Sequence, residues 1–326
     1  MDGYIQACLK YFLVLDISGT KEEEKMGQKD ISQKILEDYN DVFADIVNVL
    51  IFQGKQVVKP EELEDTKLRS QYKADDTKLH EQERDIAKLW KKGGVLFTVC
   101  GIENQTTIDE DMPLRVIGYD GASYRKQLLD QKNKRRYPVM TLVLYYGKKH
   151  WETPRTLKER IDVPENLKDF ISDYQMNIFE IAYLSEEQIS MFQSDYQIAA
   201  DYFVQTRKGK RYHQNTKIMK HVDAMLKFLS VFAQDEDYLK VDLSKERQKG
   251  GVSMCEVLQE VKQFGIREGI ERGRQEGINL GRQEGENKLA RLMKYLLVSG
   301  KNEEAIRATT DEEYRKELYH QFRIIE

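Results

Sequence analysis

Cysteine is scarce in this sequence: Cys8, Cys100 and Cys255 stand far apart, with no CxxC pair and no partnered histidines. That argues against a zinc site or a disulfide framework and suits a reducing, cytoplasmic setting. His80, His150, His213, His221 and His320 are scattered, with no ligand spacing and no serine or cysteine nucleophile arranged around them. They are assigned no chemistry. No apolar run approaches the roughly 20 residues that cross a bilayer, so no membrane partner is expected. The first fifteen residues, MDGYIQACLKYFLVL, lack the basic start and small-residue cleavage site of a signal peptide. Residues 1–25 are read as an N-terminal extension, with Met26 as an alternative start. Net positive charge is lacking too, because 52 basic and 56 acidic residues leave −4. Contact with nucleic acid would have to come from local clusters. Two stand out, Lys132-Asn133-Lys134-Arg135-Arg136 and Arg207-Lys208-Gly209-Lys210-Arg211, although a charge run taken singly reads more readily as a solvated loop.

What is present is a globular composition, 40% hydrophobic and 10% aromatic over 326 residues, enough for one large domain or two ordinary ones. From Asp30 to Phe52 apolar residues recur at helical spacing, with Gly54 as the stop. Residues 60–78 carry no period and read as loop, with room for one short strand near Leu68–Tyr72. Then Asp85–Trp90 alternates, Lys92-Gly93-Gly94 supplies turn chemistry, and Val95–Gln105 runs apolar on both faces. This is a β-hairpin in a sheet covered by helices on both sides. Residues 113–130 read as a helix entered at Pro113, and Tyr137–Tyr146 as a buried strand. The result is a compact α/β core between about Asp30 and Trp151. Beyond it, residues 156–245 read as helices around 164–173, 185–206 and 214–234, without a strand. The expected division is therefore 1–25, 26–155, a helical region 156–250, and 251–326. This last part carries a glycine at every fourth position from Gly265 to Gly285 and ends in a helical hairpin over 288–322. Six glycines in a helix cost roughly 1 kcal/mol each relative to alanine. Either close helix–helix approach in a homo-oligomer offsets that cost, or the segment is a marginal, highly charged helix.

Glu103 and Gln105 lie two apart on a strand and share a face. A three-residue loop, Lys92-Gly93-Gly94, pairs Lys91 with Val95 and sets Asp85 opposite Gly101, on the Glu103 face and diagonal to it. Two carboxylates aimed into one gap suit a hard divalent ion such as Mg2+. Such an ion activates water and neutralises phosphate charge. Gln105 can orient a water or a phosphate oxygen but brings no positive charge. A different loop length flips Asp85 to the other face and destroys the site. Arg115, Tyr119, Ser123 and Gln127 form one stripe on the following helix, where Arg115 is read as a phosphate contact or a snorkelling side chain, and Gln127 as a support. Asp45 and Asn48 on the first helix are candidates to point toward the ion. By itself the acid, acid, glutamine pattern is weak.

The stretch RDIAKLWKKGGVLFTVCGIENQT, followed by DMPLRVIGYDGASYRKQL and YPVMTLVLYYGKKHW, resembles the PD-(D/E)XK family of nuclease-like transposases, also described as recombination-promoting nucleases. The glycine tetrads after a helical segment fit the same family, and the likeness runs from about Lys29 to Gly285. It implies a restriction-endonuclease-like αβββαβ core with a mostly helical C-terminal region, magnesium-dependent cleavage of DNA and a link to recombination. Asp85 then matches the first acidic ligand, Glu103 the second, and Gln105 the position of the lysine in the ExK motif. Two other readings stand beside it: a degenerate nuclease fold that binds DNA or a partner without cutting, and an assembly protein built on the tetrad helix.

Overall fold

The computed structural model describes residues 32–66, 69–73, 79–83, 85–92, 95–130, 134–209, 215–244 and 251–324. The extension 1–25, Met26, the Gly93-Gly94 turn, Lys132, Asn133, Lys210, Arg211 and His213 lie outside them. The chain divides into two compact units, Met1–Glu260 and Val261–Glu326.

The expected first helix is broken. Helix α1 covers 32–37, a bend follows at Asp38–Tyr39, and helix α2 runs Asn40–Leu50. Val42, Phe43, Ile46 and Val47 are fully buried, as their spacing requires. Gly54 closes the element at φ +83°, donating its N–H to the Asn48 carbonyl at 2.9 Å. That left-handed conformation is one glycine adopts without penalty.

The central sheet has the order β1-β4-β5-β6-β7, with β1 at Leu63–Asp65, β4 at Ile86–Lys92, β5 at Val95–Gln105, β6 at Val139–Tyr145 and β7 at Asn177–Glu180. Strands β1, β4 and β5 are antiparallel, whereas β5, β6 and β7 run parallel. A separate hairpin, β2 (Arg69–Lys73) with β3 (Leu79–Glu83), falls between β1 and β4. Leaving that hairpin aside, α2, β1, β4, β5, α3 (Met112–Leu129) and β6 reproduce the expected αβββαβ order. Helix α3 covers one face of the sheet, where Met112 and Val116 pack with Val143, Tyr145 and Trp151. On the other face the buried Lys88 lies 5.8 Å from the Phe43 ring of α2. Ile102, Leu142 and Leu144 are fully buried, consistent with a sheet covered on both sides. Gly147 follows β6 where the Tyr145 ring lies against the backbone, leaving no room for a Cβ.

Three expectations are corrected here. Strands stand at 63–65 and 69–73 within the stretch 60–78 read mainly as loop. The sheet takes its fifth strand from Asn177–Glu180, so it reaches past the expected boundary at 155 into the region read as helical. The hairpin register also differs. Lys92 pairs with Val95 and Lys91 with Leu96, a bulge follows, and Ile86 pairs with Ile102 and Ala87 with Gly101. Continued by one residue, the ladder sets Asp85 opposite Glu103 rather than Gly101. The slip is of two residues, but Asp85 itself is a bend residue just before β4, and its carboxylate reaches Lys34 of α1 and the Asn104 N–H.

In the remainder of the first unit, helices Glu186–Met191, Tyr196–Arg207 and Val222–Ala233 bury Phe192, Ile198, Phe203, Phe228 and Leu229. Helix Met254–Val298 runs across the unit division without interruption. In the second unit its last turns pack Leu292 and Leu296 with Ala305, Ala308 and Leu318 of helices Asn302–Thr310 and Glu312–Gln321. A Cβ placed on any glycine from Gly265 to Gly285 meets nothing within 4 Å. Among the described residues no helix is long and apolar enough to cross a membrane.

Candidate active site at the end of the central strands

Glu103 belongs to the last turn of pleat in β5 and points at α3, because its β6 partner Val143 lies in the α3 cluster. Its side chain is buried, and Oε1 accepts hydrogen bonds from Arg115 Nη2 and from Tyr119 Oη at 3.2 Å. Arg115 also donates to Asp109 at 2.8 Å. Arg115 and Tyr119 are one helical turn apart, so a single stripe of α3 serves the carboxylate. Glu103 Oε2 is buried and has no hydrogen-bond partner. Burial, and then the negative charge of Asp85, pushes the Glu103 carboxyl up to about 7 against the pull of Arg115 and Tyr119.

Asp85 precedes β4 by one residue. Its Oδ1 is 2.8 Å from Lys34 Nζ on α1, and Oδ2 accepts the Asn104 N–H at 2.8 Å. Those two contacts clamp it at the end of β5. Gln105, two residues beyond Glu103, is half-buried. Its alternation with Asn104 puts it on the Glu103 face. Asp85, Glu103, Gln105, Arg115 and Tyr119 are therefore gathered at one end of the sheet.

The other candidates are elsewhere. Asp45 accepts the backbone N–H groups of Gln193 and Ser194 at 2.8 and 2.6 Å, tying α2 to the helical part of the unit. Asn48 is spent on the backbone of Val57 and Val58. Gln127 donates to and accepts from the Tyr137 backbone at 3.0 Å, fixing the entry to β6. These three are structural anchors rather than supports of the carboxylates. Sequence reasoning missed Glu37 of α1. It is buried on the opposite face, accepts from Tyr146 Oη at 2.6 Å and from Asn104 Nδ2 at 2.7 Å, and burial raises its carboxyl to about 8. The bend at Asp38–Tyr39 resets the helical phase, so no periodicity read from α2 could reveal that Glu37 points inward.

Among the described residues no three His, Cys, Asp or Glu side chains gather into a ready metal cluster. The charge of Asp85 acts on Glu103, and the partnerless buried Oε2 of Glu103 offers an oxygen that fits a small divalent cation. Oxygen donors of this kind suit magnesium, which keeps much of its water shell and needs few protein ligands.

Comparison with protein families adds a class to this geometry. The family described as "Putative transposase, YhgA-like" matches residues 54–240, a stretch holding every strand of the central sheet together with Asp85, Glu103 and Gln105. The chain belongs to this transposase family. No curated protein and no solved structure matches it.

Proposed function

We propose that the protein is a magnesium-dependent DNA endonuclease acting in transposition or recombination. The observation that carries this reading is the buried, partnerless Oε2 of Glu103, a carboxyl on which the charge of nearby Asp85 also acts. A buried anion left half-satisfied is costly, and a neighbouring anion raises the cost. A cation between them relieves both. Asp85 and Glu103 would hold the magnesium ion, which when bound supplies Lewis-acid neutralisation of phosphate charge and activation of water. The chain's own groups do the positioning. Lys34 and the Asn104 N–H fix Asp85, and Arg115 and Tyr119 fix Glu103 through its other oxygen. The Gln105 carboxamide, on the same face, donates or accepts a hydrogen bond to orient a water or a phosphate oxygen. Plasmid DNA with magnesium and purified protein tests this. Wild type cuts, and Asp85→Ala and Glu103→Ala do not. Equal cutting by all three removes the pair from the reaction.

A second reading, a nuclease fold that binds DNA without cutting, is favoured by two features: Gln105 carries no charge, and Arg115 already pairs with Glu103. It predicts metal-free DNA binding that survives Glu103→Ala and weakens steeply with salt. We also propose that the tetrad helix pairs two copies of the chain, because its glycines leave the surface open to close approach. Light scattering that gives a monomer mass for the full chain dismisses that pairing.

A further inference from the structure

Beyond Gln105 lies a cavity of about 280 Å³ that the carboxylate pair does not use. Thr106, the next residue, lines it, as do Tyr146 and Lys148 just after β6. Strands β5 and β6 are parallel, and the crevice past the C-terminal ends of parallel strands is where open α/β sheets receive ligands. The rest of the wall comes from Gly147, Ala182, and helices Tyr196–Arg207 and Val222–Ala233 with the end of the latter. Three of its features point to one kind of ligand.

The first is a set of rings. Tyr146 and Phe203 are 4.6 Å apart between centroids, and Phe203 meets Phe232 edge-on at 5.0 Å. All three line the cavity. The second is charge. Lys148 and Arg207 line the cavity and no aspartate or glutamate does, in a chain whose net charge is −4. Arg207 is held in place: Nε donates to the Ala182 carbonyl at 2.7 Å, and its guanidinium carbon is 4.0 Å from the Tyr183 ring centroid. Lys148 is exposed. The third is Gln234, which caps helix Val222–Ala233 in the left-handed conformation at φ 54° and ψ 41°. Glycine or asparagine is usual there. Gln234 also lines the cavity, and its carboxamide is both a hydrogen-bond donor and an acceptor.

We propose that this cavity binds a single nucleotide unit of a DNA strand. The base packs on the Tyr146, Phe203 and Phe232 rings, its edge meets the Gln234 carboxamide, and its phosphate meets Lys148 and Arg207. The volume is below the roughly 300–1,000 Å³ of pockets that enclose drug-sized ligands, which suits one unit rather than an extended stretch. Thr106 is three residues past Glu103 and one past the end of β5, so the two are at most roughly 10 Å apart along the chain. A single strand leaving the carboxylates can therefore bend around the end of β5 to enter the cavity from the opposite face. The proposal rests on the DNA reading above only for the polymer that supplies the nucleotide, so the test uses a monomer.

Full-length protein is titrated calorimetrically with deoxyadenosine 5′-monophosphate at low salt without magnesium. Separate arms use deoxyadenosine and inorganic phosphate. Saturable binding of the monophosphate is expected, with both fragments weaker by at least ~10-fold. Losing one charged hydrogen bond should cost about tenfold, so Lys148→Glu and Arg207→Gln each weaken the monophosphate by ~10-fold and leave deoxyadenosine unchanged. Lys148 is exposed, so its variant keeps the fold even if Arg207→Gln does not. The proposal is overturned by absent monophosphate binding, by phosphate binding as tightly as the monophosphate, or by indifference to Lys148→Glu. Binding that requires magnesium and disappears in Glu103→Gln also overturns it, because the ligand then sits at the carboxylates. Protein that binds the monophosphate but cuts no plasmid retires the nuclease reading and keeps the cavity. Protein that cuts but does not bind retires the cavity alone.

Discussion

Two glutamates are buried against opposite faces of one sheet, and the fold completes only one of them. Glu37 has a donor on each oxygen, Tyr146 and Asn104, and its hydroxyl partner Tyr146 is tied in turn to Tyr196 at 2.6 Å. Glu103 has two donors on one oxygen and none on the other. Asp85, clamped between α1 and the end of β5, raises the carboxyl pKa of both. A buried carboxyl that has its partners holds helices to a sheet. On the proposed reading, one left half-open near a second carboxylate takes a cation.

The sharpest break in that comparison is catalytic. Glu103→Gln keeps the shape of the side chain but removes the charge, and plasmid cutting is expected to fall by at least ~100-fold, the scale set by losing a group that binds the ion directly rather than one that supports it. Glu37→Gln is expected to keep cutting within an order of magnitude of wild type, measured in the same assay with folding checked by circular dichroism. Equal losses in the two variants would erase the distinction between anchor and site.

Stability against pH gives the next effect. Both carboxyls titrate higher in the folded chain than the ordinary glutamate value of 4.5, Glu103 near 7 and Glu37 near 8. The folded state thus binds protons the unfolded chain releases. The resulting stability is fully present below about 4.5 and is lost as pH rises through the folded values. For fully buried Glu37 the loss is on the order of a few kcal/mol between pH 4.5 and 9. Denaturant melts across that range should show stability falling, and Glu37→Gln should flatten the upper part of the fall. Magnesium should flatten only the part belonging to Glu103, since an ion that pairs with the carboxylate favours its charged form. A magnesium effect that persists in Glu103→Gln would put the ion elsewhere.

How much of this contrast the sequence could carry depends on residue spacing. The alternation around Glu103 sets Glu103 and Gln105 on one face, and the glycine-bearing turn brings the Asp85 backbone to the end of β5 although the register differs by two residues. The bulge between Trp90 and Lys91 left no mark in composition. Strands β1 and β7, three and four residues long, exist through their neighbours β4 and β6. Runs that short carry no period to read. Asp45 and Asn48 were reasonable inward-facing polar residues, and they are buried, but loops claim them. Glu37 was hidden by the bend that follows it. Polar residues on a buried helix face announce burial; only coordinates say what they bond.

The smallest effect is the most discriminating, because it moves one glutamate and not the other. Arg115 lowers the pKa of Glu103 and does not touch Glu37, whereas Tyr146 lowers that of Glu37 and lies on the far face. In Arg115→Gln the acid limb of the cleavage profile is expected to move to higher pH, because Glu103 then stays protonated further into the neutral range. The high-pH part of the stability curve, which belongs to Glu37, should stay in place. In Tyr146→Phe the stability curve should continue falling to higher pH, as Glu37 loses a donor to its charged form, while the cleavage limb stays put. Each shift is a fraction of a unit to about one unit, the size of one hydrogen bond or ion pair. It is read from initial rates and melts between pH 5 and 9. A cleavage limb that moves with Tyr146→Phe would mean that the two carboxyls titrate as one system through Asp85, and the two faces of the sheet would then have to be treated as a single site.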